Sequence, residues 1–147
     1  MGDLTEADSE AAPGGSVSAG IIVIVDDEET SVAALEVACS AIPNVEVWRF
    51  QSAVEAVRCL RGGNPAVRAV ITDIQMPRMD GFELIAFLRA DPRYARVPIV
   101  VVSADSDPAT PERGYRLGAN AYFSKPYSPG EVRRKLEQLL DANHMLQ

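Results

Sequence analysis

With 147 residues the chain has room for one domain with its own core and none for a second of ordinary size. Its net charge of −7 lacks the basic footprint of a nucleic-acid binder, and no apolar run approaches the about 20 residues that span a bilayer. The N-terminus has neither the basic start nor the apolar middle of a signal peptide, so a cytoplasmic protein with protein partners is expected.

Residues 1–19 combine glycine, serine, alanine and four acids (Asp3, Glu6, Asp8 and Glu10) without an apolar period, which predicts a flexible tail and leaves the body only mildly acidic. The fold is expected over 20–142, with a short C-terminal tail over 143–147 that includes the single histidine, His144. Strands are predicted near 21–25, 45–49, 67–72, 98–103 and 121–124, with helices near 28–41, 52–61, 81–90, 111–117 and 129–142. In the first helix Val32, Leu35, Cys39 and Ile42 recur at helical spacing, as do Val132, Leu136, Leu139 and Leu140 in the last. Ser52 and Asp80 are placed to cap the second and third helices. The fourth helix is expected to be short and mobile, its start delayed by Pro108 and Pro111 and its end set by Gly118.

The runs Ile21–Val25 and Ile99–Val102 are apolar at every position rather than alternating, as parallel strands covered by helices on both faces require. Right-handed crossovers then give an α/β doubly wound sheet whose ligand crevice lies at the carboxyl ends of the strands. Asp26 and Asp27 follow the first strand, Asp73 ends the third, Ser103 ends the fourth and Lys125 follows the fifth. Singly, each has a plain structural reading: a helix cap, a turn residue, a surface lysine. Jointly they place three acids and a cation in one crevice, a set suited to a hard divalent cation such as Mg²⁺ together with a phosphate. Cys39 and Cys59 lack metal-site spacing and are expected to be reduced and packed. Met76, Met79, Phe82 and Phe87 read as loop packing and core, and Trp48 as core or half-exposed packing.

The motifs Val25-Asp26-Asp27, Asp73-Ile74-Gln75-Met76-Pro77-Arg78-Met79-Asp80-Gly81, Val102-Ser103-Ala104 and Gly118 through Pro126, in this order, resemble the receiver domain of two-component response regulators of the chemotaxis-regulator type. The resemblance implies a flavodoxin-like five-stranded parallel sheet in the order 2-1-3-4-5 with five helices. It implies that Asp73 accepts a phosphoryl group from a sensor histidine kinase or histidine phosphotransfer protein. Mg²⁺ would lie on Asp27, Asp73 and the carbonyl of Gln75, with Asp26 acting through water. Lys125 would pair with Asp73, Ser103 and Tyr122 would form the switch pair, and Lys125-Pro126 would be cis. Phosphate lifetime would be controlled near Gln75 and Asp105. Thr30, Ala33, Ala34, Pro126 and Tyr127 would face the donor protein, while a downstream protein target would read the switched surface.

Ser103 stands where the family commonly has threonine, which keeps the hydroxyl and drops a methyl. A dehalogenase-like phosphatase is disfavoured because its second aspartate is replaced by Gln75, and a pseudo-receiver because all five site residues are present. No dedicated enzyme is expected. Dimerisation on phosphorylation, the cognate kinase, and whether this is a whole protein or a piece of a larger one are left open.

Overall fold

Ten elements alternate along the chain in the computed structural model, which describes residues 20–63 and 66–145. They are β1 (Gly20–Val25), α1 (Glu29–Cys39), β2 (Val45–Phe50), α2 (Ala53–Arg61), β3 (Val67–Asp73), α3 (Gly81–Ala90), β4 (Ile99–Ser103), α4 (Ala109–Leu117), β5 (Ala121–Ser124) and α5 (Pro129–Met145). The predicted tail over 1–19 lies outside the described residues. All strand pairs are parallel, in the order β2-β1-β3-β4-β5.

Successive strand residues point to opposite faces, and both faces are covered. Val23, Val25, Val70 and Val101 pack with Ala56 and Leu60 of α2 and Leu84, Ile85 and Leu88 of α3. Ile22, Ile24, Ile71, Val100 and Val102 pack with Val32, Leu35 and Cys39 of α1 and Val132 and Leu136 of α5. Burying one such side chain contributes about 1.5–3 kcal/mol, so this continuous apolar register favours one sheet arrangement strongly. Edge strand β2 instead exposes Glu46 and Arg49. Arg49 is paired with Glu29 and, at 2.8 Å, with Glu36 on α1, a charged edge that resists pairing with another chain.

Ser52 Oγ accepts from Glu55 N at 3.1 Å, and Asp80 and Glu83 form a reciprocal capping box with both bonds at 2.9 Å, as their positions predict. Trp48 is half-buried, and Met76 and Phe82 are buried in the core. The fourth helix begins at Ala109, two residues before its predicted start. Asp107 makes this early start: its Oδ1 accepts from Ala109 N at 2.9 Å and its carbonyl from Thr110 N at 3.0 Å. Pro111 then falls in the first turn, where its missing N–H has no helical partner to lose. The last helix continues to Met145, past the predicted end at 142.

Cys59 contradicts the expectation that both cysteines are packed. The buried face of α2 is Ala53, Ala56, Val57 and Leu60, and Cys59 falls beside it, exposed, while Cys39 is buried.

Candidate functional site

Parallel pairing sets the site. Val25 of β1 is in register with Thr72 of β3, so the next residues, Asp26 and Asp73, leave the sheet side by side at its carboxyl edge. Asp73 is 6% exposed and Asp26 is fully buried. Gly81 permits the loop from β3 to fold back: its N–H donates to the Ile74 carbonyl at 2.8 Å, and a Cβ there would lie 2.2 Å from the Asp73 carbonyl oxygen. Any side chain at the start of α3 would therefore push against the residue that carries the site.

Oxygens of Asp26, Asp27 and Asp73 all lie within 4.8 Å of one another. Asp26 Oδ1 accepts from Glu28 N at 2.9 Å, whereas its buried Oδ2 has no hydrogen bond and only the ionic approach of Lys125 Nζ at 3.0 Å. Asp73 Oδ1 accepts from Ile74 N at 2.6 Å and Gln75 N at 3.3 Å, and its Oδ2 accepts from Lys125 Nζ at 3.0 Å. Lys125 Nζ also donates to Glu28 Oε1 at 3.1 Å. The acids therefore do not simply cap α1, whose N-cap Glu28 makes no side-chain capping bond.

Burial, joined by the negative charge of Asp26, lifts the Asp73 pKa above the usual carboxylate range, against the opposing contacts with Lys125 and Ile74 N. Burial works to lower the Lys125 pKa, but its contacts with Asp26, Asp73 and Glu28 outweigh it and hold the ammonium above its ordinary value. Three clustered carboxylates, one with a buried oxygen lacking a hydrogen bond and one, Asp27, open to solvent, fit a hard divalent cation that keeps some of its waters.

Ser103 is fully buried, and its Oγ accepts from Asp105 N at 3.1 Å. Tyr122 lies one strand away, half-buried, with its hydroxyl 3.4 Å from the Asp105 carbonyl. Both predicted switch residues thus meet on the backbone of Asp105. Of the expected donor-facing residues, Thr30, Ala34, Pro126 and Tyr127 line one open cleft of about 480 Å³ beside Lys125, while Ala33 is exposed on α1 outside that lining. The Lys125-Pro126 bond is cis, as expected.

A family model described as the response regulator receiver domain matches residues 22–137. The chain belongs to the response regulator receiver family. This receiver is 30% identical over 122 residues to chemotaxis protein CheY1 of Helicobacter pylori strain J99, covering 83% of this chain and 98% of that protein. Its structure is similar to the signal receiver domain of a signal transduction histidine kinase from Syntrophus aciditrophicus, with TM-score 0.74 and 27% identity, covering 84% of this chain and 92% of that one. The Mn²⁺-bound form of response regulator Rcp1 shares the fold at TM-score 0.68 and 17% identity, covering 82% and 91%. Accepting a phosphoryl group in two-component signalling is general to this family, whose members work with histidine kinases and downstream targets. Among the described residues no helix is long and apolar enough to cross a membrane.

Sequence reasoning missed two site residues, Glu28 and Ser31, and the role of a third, Gly81. Glu28 is the next acid after Asp26-Asp27, and that adjacency was its available signal. The hydrogen bond of 2.6 Å between the Ser31 and Tyr127 hydroxyls joins α1 to the loop after β5, and nothing local in either segment announces it. Gly81 was legible as a motif member but not as the residue that gives the Asp73 carbonyl its space.

Proposed function

We propose that Asp73 is the phosphoacceptor of this receiver, supplied by a cytoplasmic sensor histidine kinase or histidine phosphotransfer protein. The observation that carries this reading is the set of bonds on Asp73. Backbone amides hold Oδ1, and Oδ2 faces Lys125 at 3.0 Å at the carboxyl edge of the sheet. Oδ2 forms a bond to phosphorus as the P–N bond to the donor imidazole breaks, and the ring leaves with the electron pair and takes a proton from solvent. Lys125 offsets charge on the phosphoryl oxygens and is already in place before the donor arrives.

Asp26, Asp27, Asp73 and the carbonyl of Gln75 are the residues that would hold a divalent cation, which we take to be Mg²⁺. When bound, the ion supplies positive charge for the transferring phosphoryl group. The acid cluster and the Mn²⁺-bound form of Rcp1 support a divalent cation in this place.

The readout is a switch of protein contacts rather than turnover by a dedicated enzyme. The Ser103 hydroxyl turns toward the new phosphoryl oxygens and gives up the Asp105 amide. The same loop holds the Tyr122 hydroxyl and the start of α4, so the surface around α4, β5 and α5 shifts population together. Donor docking is assigned to Thr30, Ala33, Ala34, Pro126 and Tyr127, beside the cleft at Lys125.

Intact-mass spectrometry after incubation with phosphoramidate tests the reading. A single phosphoryl adduct that requires Mg²⁺ and is absent from Asp73→Asn is the expected result. An adduct that persists in Asp73→Asn would move the acceptor elsewhere, and none from small or protein donors would overturn the assignment.

A further inference from the structure

Glu28 stands where the acid cluster meets the open cleft: its carboxylate contacts Lys125 Nζ at 3.1 Å and its side chain lines the same cleft as Thr30, Ser31 and Tyr127. It is more than half exposed, with 57% of its side chain accessible, so it faces whatever approaches the site. Lys125 is thereby shared among three carboxylates, those of Asp26, Glu28 and Asp73. Asp27, clustered with Asp26 and Asp73, brings the site to four carboxylates against this one ammonium. A bound divalent cation leaves one negative charge uncompensated, and Glu28 is the carboxylate that lies outside the metal-binding cluster.

We propose that Glu28 is a specificity-determining residue of the transfer site, disfavouring phosphoryl donors in proportion to the negative charge they carry. This rests on the reading of Asp73 as phosphoacceptor. Acetyl phosphate arrives at neutral pH mainly as a dianion and phosphoramidate mainly as a monoanion, so the two differ in charge while delivering the same group. In each reaction Asp73 Oδ2 forms the bond to phosphorus. The P–O bond breaks to release acetate in the first, and the P–N bond breaks to release ammonia, protonated as it leaves, in the second. Glu28 takes no part in either bond change. It sets the potential through which the donor must come, and a partly exposed carboxylate acts on each unit of donor charge by about two- to fivefold.

The test compares initial phosphorylation rates of the full chain with both donors in saturating Mg²⁺ for wild type, Glu28→Gln, Glu28→Lys and Glu28→Asp. Glu28→Gln is expected to accelerate phosphoramidate about twofold and acetyl phosphate about fourfold, raising the ratio of the two rates. Glu28→Lys raises that ratio further, Glu28→Asp keeps the wild-type ratio, and added salt narrows the differences. A residue that merely holds Lys125 in place would change both rates by one factor and leave the ratio alone. An unchanged ratio in Glu28→Gln and Glu28→Lys, or equal losses with both donors, overturns the proposal. A wild-type chain that neither donor phosphorylates overturns this proposal, and the phosphoacceptor reading falls as well only when a protein donor also leaves no adduct.

Discussion

At the scale of single residues, the site concentrates like charge that the free protein must tolerate. Asp26, Asp27 and Asp73 crowd within 4.8 Å of one another, and Lys125 is shared among Asp26, Asp73 and Glu28. Asp27→Asn is therefore expected to stabilise the metal-free chain by about 0.5–1 kcal/mol and to remove most of the rise in melting temperature on adding Mg²⁺. Thermal melts with and without the ion check both effects. The cysteines make a second residue-scale contrast. Burial pushes the Cys39 thiol up to about 11, whereas Cys59 is exposed, so alkylation near neutral pH should modify Cys59 alone until the chain unfolds. Because the folded Cys39 keeps its proton where an unfolded cysteine has lost it, the fold binds more protons from about pH 9 to about 11. Lys125, also raised in the fold, acts with the same sign above its ordinary pKa of 10.5. Both contributions are present at lower pH and are lost as pH rises through the folded values, so denaturant titrations should show stability declining on this alkaline limb.

At the scale of elements, Asp105 and Asp107 of the preceding loop together hold the first turn of α4. Asp105 accepts from Asp107 N at 2.9 Å and from Thr110 Oγ1 at 2.8 Å, while its own amide donates to Ser103 Oγ. In the proposed switch these hydrogen bonds are the route by which movement of Ser103 would reach the first turn of α4. Thr110→Val keeps the shape and removes one bond, at a cost of about 1 kcal/mol, and hydrogen exchange should quicken in the first turn of α4 more than in α3. Gly81→Ala tests the other loop. The added methyl must displace the Asp73 carbonyl, so a loss of about 1–3 kcal/mol and slower phosphorylation are expected together in denaturation and transfer assays.

At the scale of the whole molecule, Arg89 ties the end of the sheet opposite the acid cluster. Its guanidinium donates to the carbonyls of Tyr94, Ala95, Val97 and Gly118 and to Asn120 Oδ1. Burial lowers its pKa, yet the planar fork satisfies carbonyls of the loops around α3, α4 and β5 at once. Arg89→Met should cost about 2–4 kcal/mol in urea unfolding, and Arg89→Lys should recover little, since an ammonium cannot span the same acceptors.

The doubly wound sheet and the gathering of the candidate site's acids were legible in the chain because they rest on local pattern, whereas the strand order was implied by the family resemblance. Strands apolar at every position require cover on both faces, helices with one apolar stripe provide it, and acids at strand ends can only gather at the carboxyl edge. What tertiary structure alone decided are the contacts between residues remote in sequence and chosen by side-chain reach. Glu28 meets Lys125 across 97 positions, Ser31 meets Tyr127 across 96, and Arg89 finds Gly118 across 29. No periodicity encodes such pairs. They follow from which rotamers the packed elements leave open, and that is settled only once the sheet has brought the loops together.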